Sequence, residues 1–172
     1  MKNIRNWMLF AMVLLFFDVH IGIINLLPNW LSYLILAYCA KKIMEDKGGL
    51  TAAIGIISAV LQIVYFFFET DNALFSWLFS GIFWTMEMLL FYGLATGILR
   101  LQEKEGLWIR RKKLLMLYAI SIVACGMTLN VRPMFILAGI MMLCARLYFL
   151  FGIWRLIPKE AETEQSQEER EP

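Results

Sequence analysis

The chain has 172 residues, 60% of them hydrophobic and 17% charged, with a formal net charge of +2 and a mean hydropathy of +0.66. A soluble domain usually carries about 25% charged residues, so this composition argues against a water-soluble domain and favours an integral membrane protein. The small net charge and the scattered basic residues exclude a nucleic-acid-binding patch. Three cysteines, all within apolar segments, argue against a disulfide framework or a metal site.

Six apolar segments follow one another, separated by breaks that contain charged residues, proline or asparagine. Their approximate bounds are 6–21, 29–45, 49–68, 74–99, 114–131 and 133–157. About 20 apolar residues cross the roughly 30 Å of a bilayer core. The sequence therefore predicts an all-α bundle of six transmembrane helices over residues 1–157. Residues 158–172 contain six glutamates and no aromatic residue, which predicts a disordered acidic cytoplasmic tail.

The first segment carries an aspartate and a histidine near its end, Asp18 and His20. From Arg5 to His20 a helix would rise about 24 Å, nearly enough to cross. Gly22 loosens a helix, and Pro28 disfavours helical backbone in the residue before it. The sequence therefore predicts that the first helix ends near His20 and that a turn at the outer face leads to the second. Asp18 and His20 become shallow polar candidates at the rim of a cavity.

The same region resembles a known pattern. Asp18 closes the first segment, Ile21 follows, and the second segment opens with Leu27-Pro28-Asn29-Trp30 and the pair Ser32-Tyr33. This arrangement resembles an uncharacterised family of small multi-pass membrane proteins of Gram-positive bacteria, in which glycine is usual at the position of Ser32. The match covers about the first 45 residues. The resemblance implies a multi-pass protein of the bacterial plasma membrane and supplies no activity.

The lysine and arginine residues predict the orientation. With a cytoplasmic amino terminus, fourteen of the 16 basic residues fall on the cytoplasmic side of the predicted segments. The other two are Arg132, on the opposite side, and Arg146, inside the sixth segment. An excess of Lys and Arg in cytoplasmic loops sets topology. We therefore expect both termini in the cytoplasm.

Glu87 and Arg146 are the two charges placed deepest in apolar segments. Each lies 13 residues into a segment that runs from outside to inside, or about 20 Å from the outer end. Opposite charges at matched depth are expected to pair, and Gly139, seven residues before Arg146, would permit close helix approach. The sequence leaves two roles open for the pair: a site for a substrate or a proton, or an ion pair that locks two helices.

Two further helices carry polar stripes at helical spacing. On the third segment the stripe is Gly55, Ser58, Gln62 and Glu69; on the fifth it is Tyr118, Ser121, Cys125 and Thr128. Such stripes predict faces turned towards the bundle interior, and Gln62 becomes a further site candidate.

No catalytic motif is present, because the chain has one histidine, no Gly-rich phosphate loop and no nucleophile elbow. We therefore expect neither an enzyme active site nor a cofactor. The sequence favours a bundle that binds or translocates a small solute or ion, with Asp18, Gln62, Glu87 and Arg146 lining its interior. The alternative is a non-transporting accessory, immunity or regulatory protein that docks another membrane protein. The lipid bilayer is the partner in both cases.

Overall fold

The structure, a computed structural model, describes residues 4–16, 20–21, 24–25, 29–44, 48–67, 73–101, 108–127 and 134–156. The elements are α1 (Ile4–Phe16), β1 (His20–Ile21), β2 (Ile24–Asn25), α2 (Asn29–Met44), α3 (Gly49–Phe67), α4 (Ala73–Leu101), α5 (Trp108–Met127) and α6 (Met134–Leu156). Asp18, Glu69, Thr128 and the acidic tail lie outside the described residues.

The prediction of an all-α chain with six helices is confirmed, and four helices begin and end within two residues of the predicted segments. Two helices, α4 and α6, are long and apolar enough to cross a bilayer, over Trp77–Arg100 and Ile136–Trp154. Shorter apolar stretches lie in α1 over Ile4–Phe16 and in α3 over Gly49–Tyr65.

The described part of the first helix ends at Phe16, and residues 17–19 lie outside the described residues. The chain next forms a short antiparallel pair in which His20 faces Asn25 and Ile21 faces Ile24. Branched residues favour such extended backbone, and this local preference competes with continuation of the helix. The predicted break between the first two helices is therefore present, and its backbone is extended at His20.

The fifth helix begins earlier than predicted, at Trp108 instead of residue 114. The added turn includes the basic run that ends at Lys112 and Lys113, both of which are exposed. Arginine and lysine are good helix formers. Hydropathy therefore located the start of the apolar part of this helix and not the start of the helix itself.

Helix α1 packs against both α2 and α6. At the start of α1, the Cys39 thiol on α2 lies 4.0 Å from the carbonyl oxygen of Ile4. The Arg5 guanidinium lies 4.9 Å from the ring centroid of Trp154, near the end of α6. The central element is α4, which packs against α2, α3, α5 and α6.

Small residues bring α2, α3 and α4 into close contact. A Cβ atom added at Gly55 on α3 would lie 2.8 Å from the Ala37 Cβ and 3.1 Å from the carbonyl oxygen of Tyr33. A Cβ added at Gly93 on α4 would lie 2.5 Å from the Thr51 hydroxyl on α3. Glycine lets the backbones approach to distances that a methyl group would prevent. These contacts fix the position of α2, and with it the position of Tyr33.

Gly139 does not pack in this way, and the predicted role of Gly139 in close helix approach is wrong. It is exposed, and nothing lies within 4 Å of an added Cβ. The buried face of α6 runs instead through Ala138, Met142, Ala145, Phe149 and Ile153. Arg146 lies at the edge of that face, and its long side chain reaches inwards.

We predict that Gly55→Ala destabilises the protein and that Gly139→Ala does not. The alanine at position 55 must push α3 away from α2, and overpacking of this kind costs about 1–3 kcal/mol. The alanine at position 139 meets nothing and removes a glycine from a helix, which is favourable by up to about 1 kcal/mol. Thermal unfolding in detergent micelles measures both. Equal effects of the two substitutions would contradict the close packing at Gly55.

Candidate functional site

The centre of the bundle holds an ion pair whose carboxylate is fully buried. Glu87, in the middle of α4, is 0% exposed. Arg146 on α6 donates to both of its oxygens, from Nε to Oε1 at 2.7 Å and from Nη2 to Oε2 at 2.8 Å. This two-point geometry is the strongest arrangement that a guanidinium and a carboxylate form. The two charges thus cancel at one place in the apolar interior.

Two tyrosines complete the coordination of the carboxylate. The Tyr33 hydroxyl on α2 donates to Oε2 at 2.7 Å, and the Tyr118 hydroxyl on α5 donates to Oε1 at 2.8 Å. Each oxygen therefore accepts two hydrogen bonds, which fills the acceptor sites of an ionised carboxylate. We call Glu87, Arg146, Tyr33 and Tyr118 the Glu87 cluster. It joins four helices at one point.

The cluster also reaches a fifth helix. The Nη1 atom of Arg146 donates to the carbonyl oxygen of Leu15 at 3.1 Å. Because α1 ends at Phe16, this carbonyl has no partner within its own helix. A cation beside the last turn of a helix is also favoured by the helix dipole. Arg146 therefore caps α1 at the point where that helix stops.

Aromatic side chains enclose the cluster on both sides along α4. Phe83, one turn before Glu87, packs edge-on against Tyr33 with ring centroids 5.1 Å apart. Phe91, one turn after Glu87, packs edge-on against Tyr118 at 5.9 Å. These contacts hold both tyrosine rings in the orientation that their hydrogen bonds need. The carboxylate is positioned by packing as well as by its donors.

The cluster lies level with the end of α1 and the start of α2. Leu15 is the penultimate residue of α1, and Asn29 begins α2 four residues, or about 6 Å, before Tyr33. By contrast, α4 begins 14 residues before Glu87 and α6 begins 12 residues before Arg146, or about 18–21 Å. On that side of the cluster α4 and α6 continue while α1 and α2 do not. The chain that joins α1 to α2 includes the paired strands β1 and β2.

The structure brings Glu87 and Arg146 together and leaves the other sequence candidates elsewhere. Gln62 is half-buried on α3, and within the described ranges no hydrogen bond links it to Glu87 or Arg146. His20 lies in β1, opposite Asn25. Asp18 is outside the described residues. Among the residues described, no group of three or more His, Cys, Asp or Glu side chains could hold a metal ion.

Tyr33, Tyr118 and the Leu15 carbonyl were not identified as site groups from the sequence. In the sequence, Tyr118 belongs to the polar stripe of the fifth segment together with Ser121 and Cys125, and in the structure all three are buried. Tyr33 belongs to the sequence pattern that opens the second segment. Tyrosine resembles an apolar residue in hydropathy, so its hydroxyl becomes visible only when a buried acceptor is known. The tyrosines were visible in the sequence, but the carboxylate that accepts their hydrogen bonds could not be assigned to them.

We predict that Tyr33→Phe and Tyr118→Phe each lower the free energy of unfolding by about 1.5–3 kcal/mol, the usual worth of a hydrogen bond to a charged group. The control is Tyr38→Phe, because Tyr38 is half-exposed and an exposed change costs within about 0.5 kcal/mol. Equilibrium unfolding in mixed SDS micelles measures all three. A cost for Tyr33→Phe no greater than that of the control would contradict the geometry.

Comparison of the chain with protein-family models, with curated proteins and with solved structures found no match.

Proposed function

We propose that this protein is a six-span membrane protein of the bacterial plasma membrane, and that the Glu87 cluster is the centre of a site that binds or translocates a small solute or ion. The observation that carries the proposal is the termination of α1 and the start of α2 at the level of the cluster. The two helices are interrupted where a bilayer-spanning bundle would have its midplane.

The exposed surface supports a membrane location. Many large apolar side chains are exposed around the bundle, among them Ile57, Val60, Val123, Ile136 and Phe151. Only 28% of the apolar stretch of α6 is buried, whereas a core helix of a soluble protein is mostly buried. So many exposed apolar side chains match lipid tails and would favour aggregation in water.

The distribution of charge supports an orientation. The basic side chains described outside the interior lie at one end of the bundle: Arg5, Lys41, Lys42, Arg100, Lys112 and Lys113. That end contains the start of α1 and the end of α6. Under the positive-inside rule it faces the cytoplasm, which places both termini there.

Interrupted helices support a binding site. Non-helical backbone at membrane depth is tolerated only against protein or water, because lipid offers it no hydrogen bonds. In many transporters such interruptions, near the midplane, bring helix ends to the substrate. The connection between α1 and α2 begins on the side of the cluster where α4 and α6 continue, and its paired strands are non-helical. A polar centre with solvent access would also account for the partial exposure of the Arg146 side chain, which is 21%.

Single-cysteine labelling tests both the topology and the access to the site. The native cysteines, Cys39, Cys125 and Cys144, are first replaced by alanine. Cysteine is then introduced at Asn29 beside the cluster, at Lys112 on the basic end and at Asp71 between α3 and α4. Leu143→Cys, on the exposed apolar face of α6, is the control for lipid contact. A membrane-impermeant thiosulfonate reagent is applied to each side of sealed vesicles.

We predict that Asn29→Cys reacts from at least one side, Lys112→Cys only from the cytoplasmic side, Asp71→Cys only from the outside and Leu143→Cys from neither. Asn29→Cys that is as unreactive as Leu143→Cys would reveal a sealed interior and contradict a solute site. Such a result would favour the role of an accessory protein. Lys112→Cys labelled from outside would contradict the orientation.

A further inference from the structure

Two polar atoms in the first turns of α2 are buried without a hydrogen-bond partner among the described residues. They are Oδ1 of Asn29 and Oγ of Ser32. Ser32 is 0% exposed. Buried polar groups in native proteins almost always have a partner, and an exception calls for an explanation such as a bound water or ion or a role in function. These two oxygens are therefore candidates for contact with a ligand.

Ser32 lacks the hydrogen bond to a helix carbonyl that other hydroxyls in the helices make. Four side chains donate to the carbonyl four residues earlier in their own helices, at 2.8–2.9 Å: Ser58, Thr85, Thr96 and Ser121. This is the usual way in which a hydroxyl is satisfied inside a helix. Ser32 does not make this bond, so its hydroxyl is free to bind something else.

Arg146 adds unused donors at the same level. Three of its N–H groups are used, two on Glu87 and one on the Leu15 carbonyl. A guanidinium has five, so one remains on each of Nη1 and Nη2, and the side chain is partly exposed. Asn29 lies one turn before Tyr33, whose hydroxyl shares Oε2 with Arg146. Asn29 and Ser32 thus lie within about one helical turn of Tyr33 along α2. The free Arg146 N–H groups lie on the guanidinium that bonds to the same carboxylate oxygen as Tyr33.

The start of α2 and the end of α1 carry helix-dipole partial charges of opposite sign. The start of α2 presents backbone N–H groups and a partial positive charge, and the end of α1 presents carbonyl groups and a partial negative charge. Arg146 occupies only the Leu15 carbonyl of that last turn. A ligand at this position meets an anion-binding end and a cation-binding end at the same depth.

The charge of the cluster limits the net charge of the ligand. Glu87 and Arg146 neutralise each other, so no charge is left over to balance an ion inside the bundle. A lone carboxylate or a lone ammonium there would be costly to remove from water. A molecule that carries both groups is neutral overall and matches both helix ends.

We propose that the start of α2 forms, with Arg146, a binding site for a small zwitterion that carries a carboxylate and an ammonium group, as amino acids do. This inference rests on the proposed function and names its solute class. The carboxylate binds the free Arg146 N–H groups, the Ser32 hydroxyl and the N-terminal end of α2. The ammonium group binds Oδ1 of Asn29 and the carbonyl end of α1.

Thermal unfolding of the full chain in mild detergent tests the proposal. The probes are the standard amino acids added singly, with propionate and ethylamine as analogues that keep only the carboxylate or only the ammonium group. The variants are Asn29→Ala and Ser32→Ala. The control is Ser58→Ala, which removes a buried hydroxyl that does have a partner.

At least one amino acid is expected to raise the Tm saturably, by about 3–6 °C at roughly ten times its Kd. Neither analogue should do so. The shift should be lost in Asn29→Ala and Ser32→Ala and kept in Ser58→Ala. Without ligand, Ser32→Ala should leave the Tm unchanged or higher, because it removes an unpaired polar group, whereas Ser58→Ala should lower it.

The proposal is overturned if no amino acid raises the Tm, if an analogue raises it equally, or if the shift survives in Asn29→Ala. The two experiments distinguish a wrong solute class from a wrong site. Reactive Asn29→Cys without any shift from amino acids would mean a solute of another class. Unreactive Asn29→Cys would remove the site itself.

Discussion

The bonding of Glu87 to Arg146 is the interaction on which the rest of this bundle depends. Either charge alone in an apolar interior is costly, and removing one partner of such a pair leaves the other stranded. The two-point contact cancels both charges. The remaining acceptor sites of the carboxylate bind the hydroxyls of two tyrosines, and the guanidinium also donates to the Leu15 carbonyl near the end of α1. Five of the six helices are thereby positioned by one pair.

The contact between Arg146 and the last turn of α1 extends the cluster to a fifth helix. Arg146 donates to the Leu15 carbonyl, one residue before the end of α1 at Phe16. Beyond that helix the backbone is extended at His20–Ile21 and Ile24–Asn25. The cluster locks the helices together, and under the proposed function the same place would also supply polar groups to a ligand. The two roles that the sequence leaves open for the pair are therefore compatible.

Much of this arrangement could be predicted from particular residues. Apolar length located the helices, and the equal depths of Glu87 and Arg146 pointed to contact between them. The partners of that pair could not be predicted, because a tyrosine in an apolar segment has no distinguishing pattern until its acceptor is placed. Gly139 was misassigned because Arg146 reaches inwards from the edge of the buried face of α6, so a residue on the same stripe as Arg146 faces outwards. The contact between Arg146 and the Leu15 carbonyl joins residues 131 positions apart in the chain, so no local pattern predicts it.

A double-mutant cycle on Glu87→Gln and Arg146→Met, followed by equilibrium unfolding in micelles, tests the central claim most directly. Each single change leaves one buried charge unpaired and is expected to cost about 3–5 kcal/mol. The double variant leaves no unpaired charge, so it should be at least as stable as the less stable of the two single variants. Its cost is then well below the sum of the two single costs, which means a large coupling energy. Costs that add to within about 0.5 kcal/mol would mean that the two residues act independently. That result would contradict the account of this bundle as one built around their pairing.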